Sequence, residues 1–168
     1  MSEIKLWGWD KKPRTMLRYT KVGDIVCFEL DSTGTRFGYG QIISELIAGH
    51  PFKGFDIVHD HPDDITVEEI ENAKKFGDIF ILDVYSTLDY KKFLQNGEWR
   101  VIGHQADFEL LDSDLNSVFF AMGGKGMWKR KNLLNETVPI SDEEASNYLA
   151  YGPVTGDQAK MWYLKYNK

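Results

Sequence analysis

Residues 56–64 read DIVHDHPDD, and they hold the side chains best placed for chemistry, His59 and His61. On an extended strand, residues two apart point the same way. Both imidazoles could then face one metal ion, with Asp60, Asp63 and Asp64 supplying oxygen ligands. That arrangement would suit a metal-dependent hydrolase. Pro62 argues against it, because it breaks the strand just after His61 and lets the second ring diverge. No third ligand stands at a matched spacing, and His50 and His104 could join only through the fold. The plainer reading is a polar turn between a strand and a helix cap, where Asp and Pro are the expected residues.

The other chemical candidates are weaker. Cys27 is the single cysteine and sits in an alternating apolar run, which suits a small buried group better than an activated thiol. The loop GGKG at 123–126 lacks the rest of a phosphate-binding frame. MWKRK at 127–131 joins an aromatic to three cations and reads as a solvated loop around a buried tryptophan. No nucleophile elbow of the G-x-S-x-G kind is present. These residues assemble no catalytic set, so the expectation is a protein that is not an enzyme and needs neither metal nor cofactor.

The carboxylates carry more weight. One set is Asp60, Asp63, Asp64, Glu68, Glu69 and Glu71; the other is Asp107, Glu109, Asp112 and Asp114. Nothing in their spacing forces two of them across a cleft, as acid–base hydrolysis would need. They read instead as a negative surface for a cationic partner. The net charge of −6 divides into +4 over residues 1–23, −12 over 24–124 and +2 over 125–168. An acidic middle disfavours nucleic acid as a partner and favours a basic protein. No apolar run approaches a membrane span or a secretory signal, and a lone cysteine forms no internal disulfide. A cytoplasmic home follows as the expectation.

These residues need elements to position them. Residues 24–30 alternate, with Val26, Phe28 and Leu30 on one face and Ile25, Cys27 and Glu29 on the other. DSTGT at 31–35 makes a turn into RFGYGQIIS, where Phe37, Tyr39, Gln41 and Ile43 share a side. Gly38 and Gly40 face away and leave a smooth flank for an approaching backbone. GFDIVHD at 54–60 is a third strand. Residues 63–77 read as a helix with a Thr66/Glu69 capping box, an apolar stripe of Val67, Ile70 and Ala73, and Gly77 as its stop. DIFILDVY at 78–85 suggests a central strand, LDYKKFLQNG at 88–97 a turn or short helix, and EWRVIGH and SVFFAM two more strands. A second capping box, Ser141 with Glu144, and a last helix with Ala159, Trp162 and Tyr166 complete the chain. The fold class is α+β: about six strands in a mostly antiparallel sheet or partly open barrel, with a few flanking helices. The length fits one domain over 1–168, with an N-terminal arm or edge segment at 1–20 and a C-terminal helical segment at 140–168.

The ordered set KVGDIVCFEL, FGYGQII, GFDIV leading to ITVEEI, DIFILDV and GEWRVIGH resembles the immunity protein 26 family of bacterial polymorphic toxin systems. The likeness runs over about residues 20–104, with WRVIG its most specific piece, and the chain from Gly123 onward has no clear counterpart. The resemblance implies a protein that neutralises a cognate toxin C-terminal domain by binding, with no catalytic residues of its own. A basic nuclease toxin would suit the acidic middle. The alternatives are a hydrolase built on His59 and His61, or a small-ligand or nucleic-acid adaptor using the Gly-rich flank and MWKRK.

Overall fold

Alternation along the strands puts apolar side chains on both faces of one sheet, and both faces are covered. The computed structural model describes residues 3–10, 20–31, 33–84 and 98–166. Among them the strands are β1 (Ile4–Leu6), β2 (Asp24–Glu29), β3 (Phe37–Ile42), β4 (His50–His59), β5 (Phe80–Leu82), β6 (Trp99–Gln105), β7 (Phe120–Met122), β8 (Lys129–Lys131), β9 (Thr137–Pro139), β10 (Leu149–Ala150) and β11 (Pro153–Val154). The helices are α1 (Val67–Glu71), α2 (Asp112–Ser117), α3 (Asp142–Ala145) and α4 (Gly156–Tyr166).

Seven strands form an open sheet in the order β1-β6-β2-β3-β4-β5-β11, antiparallel except where β11 runs parallel to β5. A second sheet of order β10-β7-β8-β9 stands beside it. The class is α+β with an open sheet rather than a closed barrel, and with more strands than the six expected.

One face of the large sheet carries Val26, Phe28, Phe52, Phe80, Trp99 and Val101 against α4. Phe28 stacks on Trp99 with ring centroids 4.3 Å apart and meets Tyr163 of α4 edge-on at 5.1 Å. The Tyr163 hydroxyl donates to the Phe55 carbonyl at 2.6 Å and ties the helix to β4. The opposite face is split. Ile25, Cys27, Tyr39, Phe55 and Ile102 pack under Ile65 and Ile70. Ile43, Ile79 and Ile81 pack with Phe120 and Leu133 of the second-sheet region.

The glycine flank has neighbours beyond the one expected. Phe28 pairs across strands with Gly38, and its Cζ would stand 2.7 Å from a Cβ at that position. The Phe52 ring lies over Gly40 in the same way. Aromatic rings occupy the smooth flank at both glycines, and at Gly40 the β4 backbone approaches as well, the Lys53 carbonyl oxygen standing 2.6 Å from where a Cβ would be.

The helix expected over 63–77 is only α1, five residues long. Its capping box forms as read, with Thr66 accepting from the Glu69 N–H and Glu69 accepting from the Thr66 N–H. Beyond Asn72 the backbone bonds to β4 instead: the Asp56 N–H donates to the Lys74 carbonyl and the Phe76 N–H to the Gly54 carbonyl. Sheet pairing takes the donors and acceptors that a longer helix would use. β5 is buried but only three residues long, and it lies next to the β11 edge rather than at the centre.

Residues 140–168 are not all helix. Between α3 and α4 the chain gives β10 to the small sheet and β11 to the large one. Ser141 caps α3 by accepting from the Glu144 N–H, but the Glu144 carboxylate turns to Arg130 and Tyr148 instead of completing a box. The expected segment 88–97 lies outside the described residues, as does the Tyr166 side chain.

Candidate functional site

Four of the ten carboxylates are hydrogen-bonded into the fold, and two of those four, Asp63 and Asp107, are themselves exposed. Asp63 Oδ1 accepts from the Trp9 N–H at 2.9 Å, and Asp107 Oδ1 accepts from the Glu3 N–H at 2.9 Å. These two bonds hold the opposite ends of the edge strand β1. β1 runs antiparallel to β6, with Ile4 opposite Gln105 and Leu6 opposite Gly103. The acidic loop before α1 therefore lies at one end of β1 and the acidic loop after β6 at the other. The bond from Glu3 holds the Asp107 carboxyl below its usual range.

Two more carboxylates are engaged with cationic or ring partners. Asp114 is buried on α2 and lies 2.7 Å from Lys53 Nζ on β4. Glu69 caps α1 and contacts His59 Nε2 through both oxygens, at 3.0 and 3.1 Å. A carboxylate only accepts, so that ring nitrogen carries the proton. Burial works against ionisation of Glu69, yet the Thr66 N–H and His59 together hold its carboxyl below the usual range. Asp60, Asp64, Glu68, Glu71, Glu109 and Asp112 are exposed. They form the free part of the acidic surface.

The histidine pair comes apart. His59 is turned toward Glu69 and the edge of the Tyr39 ring. His61 is exposed and caps the 3-10 turn Pro62–Asp64, its Nδ1 accepting from the Asp63 N–H at 3.4 Å. His104 lies elsewhere, its Nδ1 2.8 Å from the fully buried Asp24. Among the described residues no group of three or more His, Cys, Asp or Glu side chains is arranged to hold a metal ion.

Cys27 is fully buried, and burial pushes its thiol well above the ordinary value. The neighbouring Tyr39 hydroxyl is also raised by burial and donates to the Pro62 carbonyl at 2.9 Å. The GGKG loop turns its Gly126 N–H onto Asp142 at 2.7 Å, so a carboxylate of the chain takes the place of an anion. In MWKRK, Lys129–Lys131 form β8 rather than a loop. Arg130 lies over the Phe119 ring and bonds Glu144, and Lys131 is buried with its Nζ on Asn135. Two of the three cations are thereby engaged within the fold.

Sequence reasoning missed the polar joints. Asp24 accepts from the Lys21 N–H and pairs with His104, just after Gly23 turns the chain at φ +100°. Gln41 donates to Gln105 and to the Gly23 carbonyl. The Gly-Asp pair at 23–24 was the available signal: a glycine for the left-handed turn, then a carboxylate inside an otherwise apolar strand.

No helix among the described residues is long and apolar enough to cross a membrane. Comparison with curated proteins finds no match, and comparison with solved structures finds none either. The family model for immunity protein 26 matches residues 21–129, from the Gly-Asp turn through β6 and β7 to the start of β8. That span holds most of the large sheet and both acidic loops, and on this match the chain belongs to the immunity protein 26 family.

Proposed function

We propose that this protein binds a cognate toxin domain and neutralises it by covering its active site or an essential surface. Membership of an immunity-protein family carries the reading. The surface assigned to the partner is the exposed acidic rim at the two ends of β1: Asp60, Asp64, Glu68 and Glu71 at one end, Glu109 and Asp112 at the other. Exposed carboxylates of one sign speed encounter with a basic surface and set its orientation. A nuclease, basic around its substrate groove, is the toxin class this rim suits. The protein would meet it in the cytoplasm. Asp63, Glu69, Asp107 and Asp114 are tied to the fold by hydrogen bonds and brace the rim.

The test is co-expression with candidate toxin C-terminal domains taken from neighbouring reading frames, together with binding measured at two salt concentrations. Reversal of Asp64, Glu68 and Glu71 to Lys should lower the association rate at least tenfold and flatten its salt dependence, with the fold intact. An unchanged rate and an unchanged salt slope would reject the acidic rim as the docking surface. Cells that die equally with and without the wild-type protein would reject neutralisation itself.

A further inference from the structure

Between the large sheet and α4 lies a cavity of about 220 Å³. Six rings, Phe28, Phe52, Phe76, Phe80, Trp99 and Trp162, make up much of its wall, beside Tyr163 and Leu149. Ala159, on α4, lines it as well. Asp78 and Lys165, both exposed, lie at its edge. Close-packed interiors keep few voids larger than a water molecule.

We propose that this cavity is a binding site for a planar, bicyclic aromatic group of indole size. Volume selects the size: an apolar cavity of about 150 Å³ takes a single benzene ring. The larger space here accommodates a second fused ring. Lining chemistry selects a flat π system, since aromatic walls reward edge-to-face and offset contacts over aliphatic packing. The rim selects the tail. Asp78 reads a cationic substituent and Lys165 an anionic one, so a charged group on the ring stays at the mouth. This site is separate from the acidic rim around β1 and does not depend on the neutralisation reading.

Two sources share that chemistry, a free bicyclic aromatic molecule and a tryptophan side chain presented by another protein. The experiment is an amide and indole N–H NMR titration of the full chain with indole, then with tryptamine, and then with the capped tripeptide acetyl-Gly-Trp-Gly-amide. Indole should give saturable shifts at Trp99, Trp162 and Ala159, with a Kd on the order of 1 mM or tighter. Equal binding of the tripeptide marks a side chain as an acceptable source. Indole binding without tripeptide binding marks a free molecule. Ala159→Leu, which fills the space, should weaken indole at least tenfold. Asp78→Asn changes an exposed rim position and should weaken tryptamine several-fold relative to indole, which keeps the test informative should the Leu variant fail to fold. The proposal is overturned by the absence of saturable shifts with both indole and the tripeptide, by wild-type affinity in a folded Ala159→Leu variant, or by an unchanged tryptamine-to-indole ratio in Asp78→Asn.

Discussion

Lys53 Nζ on β4 lies 2.7 Å from Asp114 Oδ2 on α2, and both side chains are close to nine-tenths buried. The pair joins the polar middle of the large sheet to the helix that follows β6. A buried ion pair adds little over apolar packing, but removing one partner strands the other charge. Asp114→Asn should therefore destabilise the fold by about 3 kcal/mol. The double variant Lys53→Met/Asp114→Leu should recover most of that loss. Urea unfolding of the two singles and the double, read as a cycle, checks both statements; a double variant as unstable as the sum of the singles would contradict them.

Asp63 and Asp64 are neighbours with different work. Both are exposed, but Asp63 holds the Trp9 N–H at 2.9 Å. Asp63→Lys should cost about 1 kcal/mol and speed hydrogen exchange at the Trp9 amide. Asp64→Lys should leave stability within about 0.5 kcal/mol of wild type, as exposed substitutions usually do. Exchange rates at Trp9 that respond equally to both would remove the distinction.

Gly40 has no room for a side chain. A Cβ there would overlap the Phe52 ring and stand 2.6 Å from the Lys53 carbonyl oxygen. The ring could yield only by leaving its contacts with Phe28, Phe80 and Trp99. Gly40→Ala should destabilise by about 1–3 kcal/mol through overpacking. By contrast, Gly124→Ala meets open space and should be close to neutral. Thermal unfolding of the two variants side by side gives the comparison.

His50 supplies a pH dependence. Burial lowers its pKa from 6.5, partly offset by Glu45 and Asp24, and its buried Nδ1 has no hydrogen-bond partner among the described residues. The folded state thus prefers the neutral ring, while the unfolded chain protonates near pH 6.5. The stability this group contributes is complete above pH 6.5 and is lost as the pH falls through the lower folded value. Unfolding free energy should decline between pH 7.5 and pH 5. His50→Phe should flatten that decline. An equal slope in the variant would assign the dependence to other groups.

The strands with long alternation were legible in the sequence. Residues 24–30 and 99–104 divide their side chains between the two faces as the period of two requires. Thr66 and Glu69 likewise announced a helix start, because capping is local chemistry. The end of that helix was not legible, since its backbone is claimed by β4 residues some 18 positions earlier. The small sheet was hidden for a related reason. Its strands are two or three residues long, and Lys129–Lys131 carries no apolar alternation to betray it. The acidic segments were visible, but which of their carboxylates are tied to the fold was not. Asp63, Asp107 and Asp114 find their partners 54, 104 and 61 residues away, a distance at which only the folded chain decides.

The placement of β1 and β11 has a consequence for biosynthesis. The large sheet is bounded on one side by residues 4–6 and on the other by residues 153–154, and the small sheet takes β10 from residues 149–150. A nascent chain released before residue 149 would leave β5 and β7 each with an unpaired flank, open to aggregation or to proteases. Neither sheet therefore has its full set of strands until residues 149–154 have been made, and chains terminated before them should be cleared rather than accumulate.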